Sequence, residues 1–464
     1  MTVNPSDDAI NNRLGKYARF GVHLGLERIQ KLLKALGNPQ NEVPIIHVAG
    51  TNGKGSVCAY LSSVLEQAGY RVGRYTSPHL VSWCERICIN NMPIRPPDLL
   101  AIITHVESAI TSSPTNGSPG TSASDIPTQF EVFTAAAWVY FAQQSVDIAV
   151  IEVGLGGRLD ATNVVEEPLV SIITSLSREH WQRLGPTLAD IAREKAGVLK
   201  TNRPAVIGPL PLEAAKIALD RAQALHCPLV CPAPSQPDED GYAVYTAPNH
   251  SQFRYILPFP GGHQLTNSAI AIAALHCLRE QGWQISDEAM QEGIATARWP
   301  GRLQWLTWQS PNKQPYGWLL DGAHNPAAAK VLRAYVDALT QPDLPAWIAR
   351  TLPQPETFGL RTASVTWLMG MLTTKDHADV FQELLQPGDR LHVVPVPNHA
   401  SMSPEDLAAI AVSVCPGLAN CQTYGDLDAG LQGAIADPSE LRILCGSLYL
   451  VGHFFQTQAP NILP

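Results

Sequence analysis

A glycine-rich loop between an apolar run and a helical pattern constrains this chain more than any other feature. The apolar run IIHVAG covers residues 45–50, and the loop TNGKG follows at residues 51–55. Apolar residues then recur at the spacing of one helix face until about Gly69: Val57, Leu61, Val64 and Leu65. A loop that joins a strand to a helix N-terminus presents free backbone N–H groups and the positive end of the helix dipole. The pattern therefore predicts a phosphate-binding loop.

The loop departs from the usual phosphate-loop pattern, in which a hydroxyl residue directly follows the lysine. Here Lys54 is followed by Gly55, and Ser56 comes one place late. Lys54 can reach phosphate oxygens while the backbone of residues 51–55 wraps them. The alternative is a glycine-rich turn with an exposed lysine, but the strand before the loop and the helix after it favour nucleotide binding.

Further apolar runs alternate with helical patterns at residues 147–154, 169–176 and 203–208. This alternation is typical of a buried parallel sheet with helical crossovers. A second set of apolar runs, again separated by helical stretches, begins near residue 300. We therefore predict an α/β fold, with a P-loop-type parallel-sheet ATPase domain over residues 1–299 and a smaller Rossmann-like α/β domain over residues 300–464.

Two turn-rich segments lack apolar periodicity. They are the low-complexity stretch SSPTNGSPGTSASDIP at residues 112–127 and the shorter PAPSQPDEDG at residues 232–241. Segments of this composition cannot bury enough apolar surface to offset the entropy of ordering. We predict a mobile surface insertion at each place.

Composition limits the class of partner. The formal net charge is -9 and the sequence pI is near 5.9, whereas a sequence-independent grip on nucleic acid needs clustered excess lysine and arginine. The sequence has no apolar segment of transmembrane length, and its N-terminus lacks the apolar region of a signal peptide. Nine cysteines follow no disulfide framework. We expect a reduced, cytoplasmic monomer that acts on small molecules, without nucleic-acid or membrane partners.

Polar residues at two strand ends are candidate metal ligands. Glu152 lies near the end of the run at residues 147–154, and His180 follows the run at residues 169–176. A phosphate site needs a hard cation with oxygen ligands, and a carboxylate is costly to bury unless it is paired or bound to a metal. Glu152 is therefore either a metal ligand or the partner of Arg158 in a buried ion pair. His180 taken alone is more typical of a packed or surface residue than of a ligand.

A third polar group, Asp321, His324 and Asn325, stands between an apolar strand and a helix in LLDGAHNPAAAKVL. Three polar side chains at a strand end can serve a ligand, or they can cap the helix that follows. The sequence pattern leaves both interpretations open.

Together the motifs resemble the folylpolyglutamate synthase family, including its bifunctional dihydrofolate synthase form. The matching segments run in family order across nearly the whole chain: HVAGTNGKGSV (47–57), TSPHL (76–80), EVGLGGRLDATN (152–163), EHWQRLG (179–185), AREKAGV (192–198), PGR (300–302) and DGAHNP (321–326). The segment GTNGKGS, with its displaced Ser56, would alone indicate only the wider Mur ligase superfamily. The segment EVGLGGRLDATN points to its folate branch.

The resemblance implies an ATP-dependent amide ligase. ATP would phosphorylate the γ-carboxylate of a reduced folate, or the carboxylate of dihydropteroate, to give an acyl phosphate. The amine of L-glutamate would then attack the acyl phosphate with loss of phosphate. The implied cofactor is Mg²⁺. Phosphoryl transfer of this kind depends on positioning and charge neutralisation more than on covalent help from the protein.

Carried over position by position, the resemblance implies a role for residues in both parts of the chain. The ATP contacts would be Thr51, Asn52, Gly53, Lys54, Gly55, Ser56, Asn267, Arg302 and Asp321. The Mg²⁺ ligands would be Ser77, Glu152 and His180. The contacts to the pterin-bearing substrate would be His23, Leu24, Thr128, Gln129, Phe130, Glu131, Leu159, Asp160 and Ala161. His324 would lie near the glutamate, where Ser447 joins it, and the catalytic residues would be Lys54, Lys195 and His324.

The chain departs from the family pattern at three places. Glu179 precedes the metal-motif histidine where members often have Asp, a change that keeps the charge but alters its reach. His23 stands where bifunctional members commonly have Asp, which weakens the case for dihydropteroate as a substrate. Asn398 and His399 replace a Pro-Arg pair, so one basic contact to an anionic group is lost or becomes pH-dependent.

Lys195 is a candidate for covalent modification. Thr187 and Asp190 have the spacing of a capping box, which predicts a helix start there. Leu188, Ile191, Lys195 and Leu199 then share one side of the helix, so the lysine lies on the apolar face. A snorkelling lysine is the ordinary alternative. Burial favours the neutral amine, which reacts with CO₂, and the resemblance implies that Lys195 is carbamylated near the metal site.

Two other functions remain open at this stage. One is a Mur-type ligase that joins a different amino acid to a different carboxylate. The other is a nucleotide-binding regulatory module without catalysis, which is disfavoured because the phosphate loop, the metal candidates and the second-domain ATP contacts all occur in one chain.

Overall fold

The computed structural model describes residues 5–18, 23–112, 126–341, 343–352, 364–438 and 441–460. Most of the predicted insertion at residues 112–127 lies outside these ranges. The described part has three sheets: an eight-stranded sheet, a three-stranded sheet and a six-stranded sheet.

The eight-stranded sheet forms the centre of the first part of the chain. Its strands are β1 (Ile45–Ala49), β2 (Val72–Tyr75), β3 (Ile87–Ile89), β4 (Met92–Pro93), β5 (Ile148–Glu152), β6 (Val170–Ile173), β7 (Ala205–Ile207) and β8 (Leu229–Val230). They are arranged in the order β4-β3-β2-β5-β1-β6-β7-β8. All pairs are parallel except β2 with β3 and β3 with β4. The four predicted apolar runs are β1, β5, β6 and β7, which confirms the parallel-sheet prediction.

Helices cover both faces of this sheet. They are α1 (Pro5–Ala18), α2 (Glu27–Ala35), α3 (Lys54–Gln67), α4 (Pro96–Ser112), α5 (Gln129–Gln143), α6 (Trp181–Leu184), α7 (Leu188–Ala196), α8 (Leu212–Ala224), α9 (His263–Glu280) and α10 (Asp287–Thr296), with short 3-10 helices at Pro39–Asn41 and Trp83–Arg86. Ile46 and Val48 pack with α3, α9 and α10, whereas Ile45 and Ile151 pack with α1, α2, α4 and α5. Because β1 and β5 are buried on both faces, their sequences are continuously apolar.

The segment at residues 232–241 corrects one prediction. It contains β9 (Gln236–Pro237), which pairs with β10 (Ala243–Thr246), and β10 pairs in turn with β11 (Gln252–Tyr255). Tyr245 and Tyr255 are buried against the core that includes α9. Asp238 accepts a hydrogen bond from the Tyr242 backbone at 2.9 Å. The prediction of an unstructured insertion is therefore wrong here, because neighbouring buried aromatic residues anchor a polar segment.

The six-stranded sheet forms the centre of the second part. Its strands are β12 (Gln304–Gln309), β13 (Pro315–Leu320), β14 (Val365–Met369), β15 (Arg390–Val393), β16 (Asn420–Thr423) and β17 (Leu441–Cys445), in the order β12-β13-β17-β14-β15-β16. Only β12 runs antiparallel. The helices are α11 (Pro326–Leu339), α12 (Ala346–Ala349), α13 (His377–Leu384), α14 (Pro404–Val414), α15 (Leu427–Ala436) and α16 (Leu448–Gln458).

The second sheet is also packed between two helical layers. One apolar core includes α11, α13 and α14, and the other includes α15 and α16. This arrangement confirms the predicted Rossmann-like α/β fold. Across the described ranges, no helix is both long enough and apolar enough to span a membrane.

Candidate active site

A cleft of about 790 Å³ opens between the two large sheets. It is lined by residues that follow β1, β5 and β6 in the first sheet and β13, β14 and β17 in the second. The carboxyl edge of a parallel sheet is the usual place for a ligand in α/β proteins. Every residue that the sequence analysis placed in the site lines this cleft, except Gln129 and Lys195.

The phosphate loop is held in place by the segment that follows β6. The Thr51 N–H donates to the Ser175 carbonyl at 2.7 Å, and the Asn52 N–H donates to Ser175 Oγ at 3.0 Å. The Asn52 carbonyl accepts from the hydroxyls of Thr174 and Ser175 at 2.7 and 2.9 Å. Gly53 has φ +86, and a Cβ there would meet the Asn267 amide oxygen. The loop therefore has a fixed backbone and needs glycine at Gly53.

Lys54 begins α3 and curls back over the loop. Its Nζ donates to the Thr51 carbonyl at 3.2 Å and lies 3.8 Å from Glu152 Oε1. Ser56 also lines the cleft, and its Oγ accepts from Gln264 Nε2 at 3.2 Å. Gln264 Oε1 in turn accepts from Asn267 Nδ2 at 3.1 Å. The displaced serine thus ties the loop to α9, while the lysine charge stays at the cleft.

Glu152 is a buried carboxylate that lies 3.8 Å from the Lys54 ammonium group. Its Oε2 accepts from the Ser77 N–H at 3.0 Å, and its side chain is 6% exposed. Burial raises the pKa of the Glu152 carboxyl above its ordinary value, although the charge of Lys54 acts in the opposite direction. The alternative pairing with Arg158 is wrong, because Arg158 turns outward onto α7 and pairs with Glu194 at 2.8 Å.

His180 stands at the start of α6 with φ +52 and a half-exposed side chain. Burial of the ring, more than any neighbouring charge, lowers the pKa of His180 to about 4. The imidazole is therefore neutral at pH 7, as a metal ligand must be. The described residues contain no group of three or more His, Cys, Asp or Glu side chains arranged to hold a metal. Magnesium needs fewer protein ligands, since it commonly keeps water and substrate phosphate oxygens, and the buried Glu152 carboxylate beside Ser77 has the oxygen chemistry that it prefers.

The polar group after β13 caps a helix and also lines the cleft. Asn325 caps α11, because its Oδ1 accepts from the Ala328 N–H at 2.9 Å. Asp321 accepts from the backbone N–H groups of Leu303 and Ala323 at 2.8 and 2.7 Å. Burial raises the pKa of the Asp321 carboxyl, and the charge of Arg302 partly offsets this. Asp321 lines the cleft together with His324.

The two parts of the chain touch through an amide pair. Asn52 Nδ2 donates to Asn325 Oδ1 at 3.2 Å, and Asn325 Nδ2 donates to Asn52 Oδ1 at 3.0 Å. The residue that caps α11 therefore also contacts the phosphate loop.

Glu179 brings a second set of contacts between the two parts. Its Oε1 lies 3.3 Å from His324 Nε2 and 3.4 Å from Lys375 Nζ. Burial raises the pKa of the Glu179 carboxyl, but the hydrogen bond and charge of His324 and the charge of Lys375 outweigh it and hold the pKa well below its ordinary value. The carboxylate is therefore ionised.

The segments assigned to the pterin-bearing substrate contact one another. Phe130 covers Gly154, and the Gly25 N–H donates to the Leu159 carbonyl at 3.3 Å. Glu131 pairs with Arg28 at 3.1 Å, and Asp160 accepts from the Thr162 hydroxyl at 2.6 Å. The Glu131 carboxylate is thus paired with a cation and the Asp160 carboxyl is hydrogen-bonded. The cleft surface of this wall includes the apolar side chains of Leu24, Phe130, Leu159 and Ala161.

Lys195 lies beneath the phosphate loop instead of lining the cleft. The predicted capping box of Thr187 and Asp190 is present at the start of α7. Lys195 is 5% exposed, and its Nζ donates to the Gly50 carbonyl at 2.7 Å. Burial, with a smaller contribution from the charge of Lys54, lowers the pKa of Lys195 to about 7. The lysine is buried, not snorkelling.

Among the cleft residues that the sequence did not mark are Lys375 and Arg86. Lys375 lies in the loop between β14, which ends at Met369, and α13, which begins at His377, so it does not stand directly at a strand end as Asp321 does. Arg86 is buried with its Nε donating to His79 Nδ1 at 2.8 Å, and its sequence context gave no signal. His399, at the departure from the family pattern, stacks on Tyr449 with ring centroids 3.8 Å apart.

Comparison with known proteins agrees with this geometry. Family models match the chain as "Mur ligase middle domain" over residues 48–275 and "Dihydrofolate synthetase, C-terminal domain" over residues 304–457. The probable dihydrofolate synthetase of Schizosaccharomyces pombe is 33% identical over 446 residues, which is 94% of this chain and 98% of the relative. The folylpolyglutamate synthase of Lacticaseibacillus casei is 32% identical over 461 residues, 95% of either chain. A solved structure is also similar: the crystal structure of a bifunctional folylpolyglutamate synthase/dihydrofolate synthase from Yersinia pestis, complexed with AMPPNP and a Mn ion. The TM-score is 0.76 at 27% sequence identity, and the match covers 98% of this chain and 99% of the Yersinia pestis chain.

Proposed function

The chain belongs to the dihydrofolate synthase/folylpolyglutamate synthase family of ATP-dependent ligases, and we propose that it joins L-glutamate to the γ-carboxylate of reduced folates and also to dihydropteroate. The observation that carries this proposal is the single cleft that brings three features together. They are the phosphate loop, the largely apolar wall around Phe130, and the polar residues after β13 and β14.

The reaction has two steps. A carboxylate oxygen of the folate attacks the γ-phosphorus of ATP, the bond from that phosphorus to the bridging oxygen breaks, and ADP leaves. The amine nitrogen of L-glutamate then attacks the carbonyl carbon of the acyl phosphate, loses a proton, and expels phosphate. Lys54 and the N–H groups of the loop neutralise the transferred phosphoryl group, and the two parts of the chain exclude water from the acyl phosphate.

Magnesium would be held by Ser77, Glu152 and His180, and when bound it would neutralise charge on the ATP phosphates. Support comes from the buried Glu152 carboxylate, whose nearest cation is 3.8 Å away, and from the neutral His180 ring.

We also propose that Lys195 carries a carbamate. With a pKa of about 7, about half of the lysine is neutral at pH 7. The neutral Nζ forms a bond to the carbon of CO₂ and releases one proton. The resulting anion would lie beneath the phosphate loop, near the residues proposed to hold magnesium.

The proposed organisation is a cytoplasmic monomer of two domains, residues 1–299 and 300–464. In the described residues, the strands of the eight-stranded sheet end at Val230 and those of the six-stranded sheet begin at Gln304, which supports this boundary.

The test is an incubation of the purified protein with ATP, Mg²⁺, labelled L-glutamate and either tetrahydrofolate or dihydropteroate, followed by chromatography of the amide products. Glutamylated products from both acceptors are expected. A product with tetrahydrofolate only would remove the dihydropteroate activity, in line with His23. A product with neither acceptor would contradict the proposal and favour a different Mur-type ligase or a nucleotide-binding module.

A further inference from the structure

Gly55, the residue directly after Lys54, has no room for a side chain. It lies in the first turn of α3 and its φ is not positive, so an ordinary residue could adopt the same backbone conformation. A Cβ at Gly55, however, would meet the Trp299 ring, at 2.7 Å from Cε2 and 2.8 Å from Nε1. Non-bonded heavy atoms prefer about 3.5–4.0 Å. The Trp299 side chain, and not the backbone, therefore requires glycine at this position.

This contact gives the unusual order of residues in the phosphate loop a structural partner. In the usual loop, a hydroxyl residue directly follows the lysine. Here the indole of Trp299 occupies the space that such a side chain would need. Trp299 also lines the cleft beside the loop. A residue from a distant part of the chain thus takes the place of the loop's missing side chain.

Trp299 is itself held in position. Its ring packs against the apolar core that includes α3 and α9. The guanidinium carbon of Arg74 lies 5.3 Å from the ring centroid, within the range of a cation–π attraction. Arg74 is buried, and its Nη1 donates to Asn91 Oδ1 at 2.6 Å. The indole is therefore fixed by the core and by an anchored cation, as well as touching Gly55.

The segment that carries Trp299 connects the two parts of the chain. Residues 297–303 join α10 to β12. At the end of this segment, the Leu303 N–H donates to Asp321 Oδ2 at 2.8 Å, which ties it to the strand end of β13. Arg302 lines the cleft between these two contacts. One short segment thus touches the phosphate loop at Trp299 and the second part of the chain at Leu303.

We propose that Trp299 is a positioning residue for ATP. Its ring sets the place of the phosphate loop at Gly55, and the connecting segment carries this position to Arg302 and Asp321. The inference rests on the proposed function, because these residues and Lys54 are the ATP contacts proposed in the two parts of the chain. Trp299 acts through the loop and needs no contact with ATP itself.

The main test adds a methyl group at Gly55 and then removes the ring that it meets. Gly55→Ala should weaken binding of AMPPNP with Mg²⁺ about five- to a hundredfold, the range expected for overpacking by one methyl group. In the double variant with Trp299→Ala, the methyl group enters the vacated space. The double variant should therefore bind AMPPNP more tightly than Gly55→Ala alone, a reversal that additive losses cannot produce. Isothermal titration calorimetry gives the dissociation constants.

Two single variants of Trp299 test the same idea without any change at Gly55. Trp299→Ala should weaken AMPPNP binding about two- to thirtyfold, the range for residues that act through others. Trp299→Phe keeps a ring against Gly55 and should recover most of that loss.

Trp283→Ala is the matched control. Trp283 packs against the same apolar core, with its ring 4.9 Å from that of Tyr70, but it is not among the residues that line the cleft. Its loss should lower the thermal unfolding midpoint, as Trp299→Ala does, and leave the dissociation constant of AMPPNP unchanged.

Each outcome bears on the proposal. If the double variant binds AMPPNP no better than Gly55→Ala, the methyl group collides with the nucleotide instead of the indole, and the proposal is overturned. Equal affinities in the wild type, Trp299→Phe and Trp299→Ala would also overturn it, even if Gly55→Ala does not fold. AMPPNP binding needs no ligation, so a wild-type protein that binds AMPPNP but glutamylates neither acceptor would refute the proposed function and leave the role of Trp299 to these measurements.

Discussion

The two walls of the cleft are built in different ways. On the wall of the first sheet, the backbone of the phosphate loop is held by hydrogen bonds of 2.7 to 3.0 Å with Thr174 and Ser175, which follow β6. On the wall of the second sheet, Lys375 and His324 reach across to Glu179 at 3.3 to 3.4 Å. We call the first the fixed wall and the second, whose contacts are longer, the adjustable wall.

This difference fits the chemistry proposed for each wall. Charge that develops during phosphoryl transfer is best stabilised by groups that need no rearrangement at the moment of reaction. His324, which the family resemblance places near L-glutamate, lies on the adjustable wall, and the amino acid must enter and leave in each turnover. Substitutions in the fixed wall should therefore lower turnover, whereas substitutions in the adjustable wall should mainly raise KM.

The largest effect should come from Lys54→Ala in the fixed wall. Loss of the lysine charge should lower ligation by about a hundred- to a thousandfold, because removing one preorganised stabilising group typically costs that much. Labelled glutamate incorporation measures the rate, and thermal unfolding and circular dichroism should show an intact fold.

Lys216→Ala, at an exposed position of α8, is the matched control and should keep the wild-type rate. Ligation by Lys54→Ala at a rate close to wild type would show that the loop does not bind the transferred phosphate.

A smaller loss of ligation activity is expected from Lys195→Ala. Lys195 lies beneath the phosphate loop of the fixed wall. Removing a residue that orients metal ligands without binding the metal itself commonly lowers activity by about ten- to a hundredfold. Short-chain carboxylic acids should restore part of the rate, because their anion can replace the carbamate. The neutral fraction of Lys195 falls as the pH drops below about 7. The wild-type protein should therefore lose its carbamate as the pH is lowered below that value.

The carbamate itself is observed by NMR in buffer with ¹³C-labelled CO₂. A protein-bound carbamate signal should be present in the wild type and absent from Lys195→Ala. If no signal forms and CO₂-depleted buffer leaves the wild-type rate unchanged, then Lys195 acts as an unmodified amine.

Much of the fixed wall could be predicted from the sequence, because its information is local. The apolar runs of β1 and β5 are continuous since both faces of these strands are buried, and the loop directly follows β1. The helix that carries Lys195 was likewise predicted from the spacing of Thr187 and Asp190, which form the capping box.

The adjustable wall could not be predicted in the same way. Glu179 and Lys375 are 196 residues apart, and their contact depends on how two separate sheets face each other.

Two short or polar strands also left no sign in the sequence. The edge strand β16 reads NCQT, and β9 covers only Gln236–Pro237, so neither has an apolar run to mark it.

The smallest predicted effect concerns the amide pair that joins the two walls. Asn52→Ala removes one amide of the pair and leaves the backbone bonds of the loop. Asn325→Ser removes the other, while serine still caps α11. If the pair couples loop and second domain, the double variant should lose less activity than the two single losses combined.

We expect a coupling of about 0.5–1.5 kcal/mol, the usual net value of a neutral hydrogen bond, which is roughly a two- to tenfold effect on kcat/KM for ATP. Measuring kcat/KM in the wild type, both single variants and the double variant gives this coupling directly. Asn325→Ala loses the helix cap as well, so its thermal unfolding midpoint should be lower than that of Asn325→Ser. Strictly additive losses would mean that the amide pair contributes nothing to ATP use.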